Sequence, residues 1–212
     1  MKGTVLKVRV SGTDPILGSI PRNKELYTKY IATKAASTAN EGKAKGDVEN
    51  VVDANDGTTG FYRDLHNYPV LKGYQFKGFL KEAAKALKGQ LKLGTPASKI
   101  DNFVFVKERD IPLFREDGSR IEEPDGFLER PLRAETMQGP RVSLAKSEII
   151  NPSWVFEITL EVIANEKTAK SPAVDADLVK SLLDYGERKG LLQWRNARYG
   201  CFTYEILDEY EM

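Results

Sequence analysis

Alternating apolar and polar positions predict the strands of this chain. Residues 4–10 alternate and are rich in β-branched side chains, which is typical of a strand with one buried face. Residues 154–163 show the clearest strand pattern, and residues 200–207 predict a last strand. A short apolar run at 102–106 predicts a buried strand. We therefore expect four strands distributed along the whole length.

Helical spacing predicts three helices. In residues 74–87 the apolar positions fall on one face of a 3.6-residue period, which indicates an amphipathic helix. Residues 173–185 predict a second helix, with Asp175 and Asp177 near its start, where the helix dipole favours negative charge. Residues 24–36 predict a further helix.

Two stretches predict insertions. Residues 37–60 contain few large apolar side chains and much Gly, Asn, Asp and Lys, which favours a loop. Residues 111–152 carry three turn signals, namely Asp117-Gly118, Asp125-Gly126 and Gly139-Pro140. Such signals favour hairpins or extended arms. We expect one domain over residues 1–212, with a loop or helical insertion at 24–60 and a hairpin arm at 111–152.

The order of elements predicts the fold class. Without the insertions the order is strand, helix, strand, strand, helix, strand. This is the order of an α+β ferredoxin-like domain, in which a four-stranded antiparallel sheet carries two helices on one face. The same order underlies the RNA-recognition module, whose open sheet face binds nucleic acid.

Composition excludes several classes of protein. The 212 residues are 41% apolar, which is enough for a core. The single His excludes a site with two imidazoles, and the single Cys excludes a disulfide framework or a Cys-rich zinc site. No apolar run approaches the about 18 residues of a membrane span, and the alternating first residues do not resemble a signal peptide. We expect a cytoplasmic protein without membrane contact.

The net charge of +1 hides local segregation of charge. Residues 67–94 contain six lysines and one glutamate, and residues 186–200 contain four cations and one glutamate. The tail at 205–212 contains four acidic residues and no base. A solvent-exposed face of a helix or strand explains any single charged run of this kind. The alternative is that the two basic runs bind a polyanion.

The start of the helix predicted at 74–87 is the first candidate contact. A helix N-terminus presents free N–H groups and a positive dipole end, which suits a phosphate. Lys72, Lys77 and Lys81 would add charge, and Gly73 and Gly78 would allow close approach of a backbone. The alternative is that Gly78 serves helix packing and that the lysines keep the outer face soluble.

The hairpin arm is the second candidate. Arg130, Arg133 and Arg141 surround the Gly139-Pro140 turn, with Met137 near the tip. Guanidinium groups bind phosphates and stack on bases, and an apolar wedge on a hairpin can unstack bases. The alternative is that these arginines pair with acidic residues of the same arm, namely Glu129, Glu135 and Glu148.

The glycine-rich stretch at 186–200 is the third candidate. It places Trp194, Arg195, Arg198 and Tyr199 within six positions, a composition that suits single-stranded nucleic acid. The alternative is that Trp194 fills the core under the loop. We expect Trp194 to be anchored in apolar surroundings and Tyr199 to stand free at the sheet edge.

Two of these segments resemble a known family. In residues 69–80 four positions match the stretch P-x-x-x-G-S-S-x-K-G-x-x-R, namely Pro69, Gly73, Lys77 and Gly78. Tyr74 and Gln75 replace the small hydroxyl residues, and Lys81 stands at the arginine position. This stretch, with a looser glycine-rich loop at 186–202, resembles the RAMP superfamily, the RRM-derived proteins of CRISPR effector complexes. Blocks such as ERPLRAETMQGPRVSLAKSE also resemble a group of phage proteins of unassigned function.

These features predict a non-enzymatic protein that binds single-stranded RNA or DNA, with no metal or cofactor. The RAMP resemblance implies a homo-oligomer or a subunit of a larger complex that assembles along the strand, and the phage resemblance implies the host cytoplasm. A second hypothesis is a protein-interaction module that inhibits a host factor. A third is a metal-independent endoribonuclease, since some RAMP proteins cleave RNA with a histidine and His66 is the only conventional general base here.

Overall fold

The computed structural model describes residues 2–22, 58–136, 139–164 and 172–212, with all side chains except those of 132–143. The helix predicted at 24–36 and most of the loop predicted at 37–60 lie outside the described residues. The last three residues of that loop form a strand, Thr58–Gly60, because they pair with the hairpin arm. The loop prediction is therefore wrong at these three positions.

The described residues form thirteen strands and three α-helices, so the protein is of the mixed α+β class, as the sequence predicts. The strands are β1 (Gly3–Gly12), β2 (Ile16–Leu17), β3 (Ile20–Pro21), β4 (Thr58–Gly60), β5 (Tyr62–Arg63), β6 (Pro69–Lys72), β7 (Val104–Val106), β8 (Asp110–Pro112), β9 (Phe114–Arg115), β10 (Gly126–Thr136), β11 (Gly139–Ile150), β12 (Trp154–Ile163) and β13 (Phe202–Glu211). The helices are α1 (Gly73–Ala86), α2 (Pro96–Phe103) and α3 (Ala176–Asp184), with 3-10 turns at Tyr185–Glu187 and Arg195–Ala197.

The main sheet has the strand order β13-β1-β12-β7, and every neighbouring pair is antiparallel. Strand β9 pairs with one end of β12. Helix α1 lies between β1 and β7 along the chain, and α3 lies between β12 and β13. Strands β1 and β7 are parallel, with β12 between them in the sheet, and α1 lies in the connection between them. Strands β12 and β13 are likewise parallel, with β1 between them, and α3 lies in their connection.

The core lies between the main sheet and the helices. Alternate side chains of β12 are buried, as its strand pattern predicts. The ring of Phe76 on α1 lies 5.8 Å from that of Phe156 on β12, and the ring of Phe79 lies 5.2 Å from that of Phe202 on β13. Removing these rings from water is a main contribution to the stability of the fold.

The hairpin arm belongs to a second sheet. Strand β10 pairs with β11 over its whole length, from Gly126 opposite Ile149 to Thr136 opposite Gly139. Strand β11 also pairs with β2 and, in parallel, with β4. The sequence correctly predicts a hairpin here. Gly139 and Pro140 are strand positions of β11, however, so the prediction of a turn at this pair is wrong.

Three other boundaries differ from the sequence prediction. Residues 102 and 103 end α2 instead of beginning a strand, because Pro96 starts a helix that continues through them. Helix α3 begins at Ala176, because the carboxylate of Asp175 caps it by accepting the N–H of Leu178 at 2.8 Å. Strand β13 continues to Glu211, so the acidic tail is part of the sheet.

Candidate nucleic-acid interface

The open face of the main sheet is acidic. The register places Lys7 and Arg9 of β1 on this face, and Lys7 forms an ion pair with Asp208 at 3.4 Å. The same register places four carboxylates on this face. Glu157 and Glu205 lie opposite Arg9, Asp208 lies opposite Lys7, and Glu161 lies opposite Val5. A nucleic-acid backbone is repelled by such a surface. Among the described residues, this face is therefore a poor site for nucleic acid.

The lysines predicted as contacts at the start of α1 are paired with carboxylates. Lys72 forms an ion pair with Asp110. Lys77 and Lys81 each lie 3.4 Å from the carboxylate of Asp101 on α2. The hydrogen bond from Lys81, together with its charge, lowers the pKa of Asp101 below the usual 3.8. These lysines hold neighbouring elements together, which reduces the charge that they offer to a phosphate.

The N–H groups at the start of α1 also have partners within the protein. The N–H of Gly73 donates to the carbonyl oxygen of Arg109 at 2.9 Å, and the N–H of Lys72 donates to the side chain of Gln75 at 2.9 Å. A Cβ on Gly73 would lie 2.1 Å from the carbonyl oxygen of Glu108. The backbone that approaches Gly73 closely is therefore the protein's own.

A cleft of about 580 Å³ lies beside this helix start. Its charged lining consists of three cations and two acids, namely Lys72, Lys77, Arg109, Glu108 and Asp110. Gly78 lies one turn further along α1, and no described atom comes within 4 Å of the position that its Cβ would occupy. Gly78 therefore has no packing role against the described residues.

The glycine-rich loop is held tightly against the main sheet. The N–H of Leu191 donates to the carbonyl oxygen of Gly200 at 2.9 Å, which closes the loop, and the Leu191 side chain is buried. A Cβ on Gly190 would lie 2.1 Å from the carbonyl oxygen of Tyr199, so only glycine fits there. Trp194 and Arg198 have φ angles of 51° and 66°, in the left-handed region. The closed loop fixes the positions of its aromatic and basic side chains.

Arg130 joins the hairpin arm to this loop. Its guanidinium carbon lies 5.1 Å from the ring centroid of Trp194 and 5.1 Å from that of Tyr199. Its Nη2 donates a hydrogen bond of 2.6 Å to the Tyr199 hydroxyl. The two rings meet edge to face at 6.0 Å. We call Arg130, Trp194 and Tyr199 the arginine–aromatic cluster.

The cluster combines two of the predicted sites in one place. Arg130 is exposed, and both rings are half-buried. The expected division between an anchored Trp194 and a free Tyr199 is therefore wrong, because each ring packs against the other and against Arg130. A half-buried ring can stack on a base, and the exposed guanidinium can donate to a phosphate.

The remaining cations of the loop differ in how closely they pair with carboxylates. Arg198 is 71% exposed and lies 3.6 Å from Asp14. Arg195 forms two short contacts with Glu82 of α1, at 2.6 and 2.9 Å, and Lys189 lies 3.8 Å from the same carboxylate. Glu82 was not predicted as a site residue. The feature of the sequence that could have indicated Glu82 is that it is the single acidic residue among the six lysines of residues 67–94.

Arg133 and Arg141 lie on β10 and β11, opposite Val142 and Ala134, and their side chains lie outside the described residues. Met137 also lies outside them. Two of the acids proposed as alternative partners of the arginines are engaged elsewhere, because Glu129 pairs with Lys146 at 2.7 Å and Glu148 pairs with other arginines. The side chain of the third, Glu135, lies outside the described residues. Arg130 therefore pairs with neither of these two acids.

His66 lies in an exposed turn between β5 and β6. The carboxylate of Asp64 accepts the backbone N–H groups of His66 and Tyr68, at 2.8 and 2.9 Å. The His66 ring lies 5.9 Å from the ring of Tyr68. In the described parts of the chain, no three His, Cys, Asp or Glu residues are grouped as a metal site would require.

Two titratable groups next to the core have shifted pKa values. Burial, helped by the neighbouring Asp184, raises the pKa of Tyr204 to about 12, and the Tyr204 hydroxyl lies 3.0 Å from the Asp184 carboxylate. Burial raises the pKa of the Cys201 thiol. A buried thiol with a raised pKa is a weak nucleophile, in keeping with a packing role for Cys201.

Comparison with solved structures finds chains of similar structure. The chain is similar to one chain of the type III-B Cmr-beta bound to cognate target RNA, solved by cryo-EM, with a TM-score of 0.46 and 13% identity. The likeness covers 100% of this chain and 61% of that chain, so this chain spans less than two thirds of its length. A TM-score below 0.5 carries no functional argument. No protein-family model and no curated protein matches the sequence. None of the described helices has the length and hydropathy to cross a membrane.

Proposed function

We propose that this protein binds single-stranded nucleic acid without catalysis and that the arginine–aromatic cluster is its contact site. The observation that carries the proposal is the position of the Arg130 guanidinium, 5.1 Å from the ring centroids of both Trp194 and Tyr199 at the protein surface. Among the described residues Arg130 has no carboxylate partner. A guanidinium in this state attracts a phosphate, and adjacent rings stack on bases of any sequence.

The scaffold in this proposal is a ferredoxin-like core of the RAMP type. The strand order β13-β1-β12-β7 supports it, because β1-α1-β7 and β12-α3-β13 are two split β-α-β units within one antiparallel sheet. The cluster lies beside this core, where the hairpin arm meets the loop that leads into β13. We place the binding site there and not on the acidic open sheet face.

The proposal includes assembly along the strand, as a homo-oligomer or as a subunit of a larger complex. The two strands of the hairpin arm have 11 and 12 residues, which at about 3.3 Å per residue is long enough to reach a neighbouring subunit. Where the structure describes the chain, only the base of this arm contacts the rest of the second sheet, through β2 and β4.

A protein-interaction module is the second candidate function, and the open sheet face favours it. Tyr210 of β13 lies opposite Val5 on that face and is 45% exposed beside its carboxylates. Apolar side chains among like charges suit a basic protein partner. Such a partner would bind the opposite side of the sheet from the helices.

Binding of labelled single-stranded homopolymers, measured by fluorescence anisotropy, tests the nucleic-acid proposal. We expect Arg130→Gln to weaken binding about tenfold, because a charge-assisted hydrogen bond is worth about 1.5 kcal/mol. Arg9→Gln is the matched control, since Arg9 lies on the acidic sheet face and its loss should leave affinity unchanged. Equal losses in both variants, or no binding by the wild-type protein, would refute the proposal.

A further inference from the structure

Three lysines at the end of α1 form a second basic surface. Lys85 lies in the last turn of the helix, and Lys88 and Lys92 lie in the turns that follow; all three are exposed. None of them forms an ion pair with a described carboxylate, in contrast to Lys77 and Lys81 of the same helix. We call Lys85, Lys88 and Lys92 the lysine cluster.

The backbone that carries the lysine cluster is ordered by hydrogen bonds. The N–H of Leu91 donates to the carbonyl oxygen of Leu87 at 2.9 Å, and the N–H of Leu93 donates to that of Lys88 at 3.1 Å. The Leu93 side chain is buried in the core. The turns are therefore anchored, and the lysine side chains project from a fixed surface.

The lysine cluster adjoins the glycine-rich loop through Glu82. Residues three apart on a helix are neighbours, so Lys85 stands next to Glu82, which receives Arg195 and Lys189 from the loop. Because Arg195 and Lys189 share the single carboxylate of Glu82, one positive charge is left over. Arg195 directly follows Trp194 of the arginine–aromatic cluster, so one basic surface runs from the rings to the end of α1.

The helix dipole explains only part of this arrangement. Cations near a helix C-terminus are stabilising, and Lys85 is placed for that role. Lys88 directly follows the C-cap, Leu87, whereas Lys92 lies further beyond the helix, where the dipole effect has fallen off. Lys92 also adopts a φ of 50°, a conformation that Asn or Gly would adopt with less strain. The dipole therefore does not account for the position of Lys92.

We propose that the lysine cluster binds the sugar–phosphate backbone of the same single strand whose bases contact the arginine–aromatic cluster. This inference rests on the proposed function and extends it to a longer site. The strand crosses from the two rings, over Arg195 and Lys189, to the lysine cluster. The ligand class is therefore an extended single strand of several nucleotides, and a mononucleotide or short fragment fills only the ring end.

Oligonucleotides of two lengths test this extension with the full-length chain. One has about 4 nucleotides and one about 12, within the span of known single-strand sites. The test variant is Lys85→Gln with Lys88→Gln. The control is Lys2→Gln with Lys107→Gln, which removes the same charge. Lys2 immediately precedes the first residue of β1, whereas the glycine-rich loop leads into the start of β13, which pairs with the opposite end of β1. Melting temperatures check that both variants fold.

We expect the test variant to bind the longer strand less tightly, with a slope of log affinity against log salt reduced by about 1.4, or 0.7 for each lost contact. Its affinity for the short strand should stay at the wild-type value, and the control should match the wild type for both. If both variants lose the same affinity for the longer strand, or the test variant loses none, the extension is refuted. If the wild-type protein binds neither strand, the proposed function itself is refuted.

Discussion

At the scale of single residues, the proposed site depends on how Arg130 is held. Arg130 comes from the hairpin arm, whereas Trp194 and Tyr199 come from a loop more than sixty positions later. The hydrogen bond to the Tyr199 hydroxyl fixes one edge of the guanidinium, and within the described part of the chain its other N–H groups are left to donate outward. Both rings also limit the rotamers of Arg130, which reduces the entropy lost on binding.

Two substitutions of Tyr199 distinguish the contribution of its ring to binding from that of its hydroxyl. Tyr199→Phe removes only the hydrogen bond from Arg130, and we expect affinity for single strands to fall by less than about fivefold, or 1 kcal/mol. Tyr199→Ala also removes the stacking surface, worth about 1–3 kcal/mol, and should cost tenfold or more. Anisotropy titrations measure both. Equal losses in the two variants would mean that the hydroxyl, not the ring, is the contact.

Tyr204 predicts a loss of stability at high pH. Its pKa is about 12 in the folded protein, against 10 for an ordinary tyrosine, because burial and Asp184 disfavour the phenolate. The folded state therefore holds this proton more tightly, and the stabilisation present below pH 10 is lost as pH rises from 10 towards 12. Urea unfolding across this range should show a smaller loss for Tyr204→Phe. A pH dependence identical to wild type would contradict the assignment to Tyr204.

At the scale of elements, a buried carboxylate fixes the base of the hairpin arm. Glu148 on β11 is 2% exposed, pairs with Arg22 and Arg63 at 3.0 and 2.5 Å, and accepts the N–H of Phe61. The arm carries Arg130 eighteen positions earlier on the partner strand. The alignment of the arginine–aromatic cluster therefore depends on this anchor.

Removal of the anchor should destabilise the protein strongly. We expect Glu148→Ala to lower the free energy of unfolding by about 2–3 kcal/mol, because it leaves Arg63 and the Phe61 N–H without their partner. Glu129→Ala is the control, since the Glu129–Lys146 pair is exposed and such pairs contribute about 0–1 kcal/mol. Urea denaturation measures both. A similar loss in the two variants would show that Glu148 is no more important than a surface pair.

Local pattern predicts the five long strands and helices α1 and α3, and the errors elsewhere have physical causes. The strand at 154–163 and helix α1 follow from periodicity, because each buries one regular face of its element. The strand at 102–106 was predicted too long because its first two residues complete a helix that Pro96 begins. The arginine–aromatic cluster was seen only as two separate sites, since its contact between Arg130 and the loop depends on tertiary structure.

At the scale of the whole molecule, the charge balance of +1 divides between surfaces. Carboxylates dominate the open sheet face, and cations surround the glycine-rich loop and the end of α1. This division directs a polyanion to one side of the protein and away from the other. With four to six phosphate contacts in each subunit, log affinity should fall against log salt with a slope of about −3 to −4.

Tryptophan emission is the most direct measure of the central claim. The chain has two tryptophans; Trp154 is fully buried, with its indole N–H bound to the carbonyl oxygen of Asp14, whereas Trp194 belongs to the proposed contact. A single-stranded oligonucleotide should quench Trp194 in a saturable way, with the same Kd as anisotropy, and Arg130→Gln should shift both curves equally. If the strand binds by anisotropy while the emission stays constant, the arginine–aromatic cluster is not the contact site.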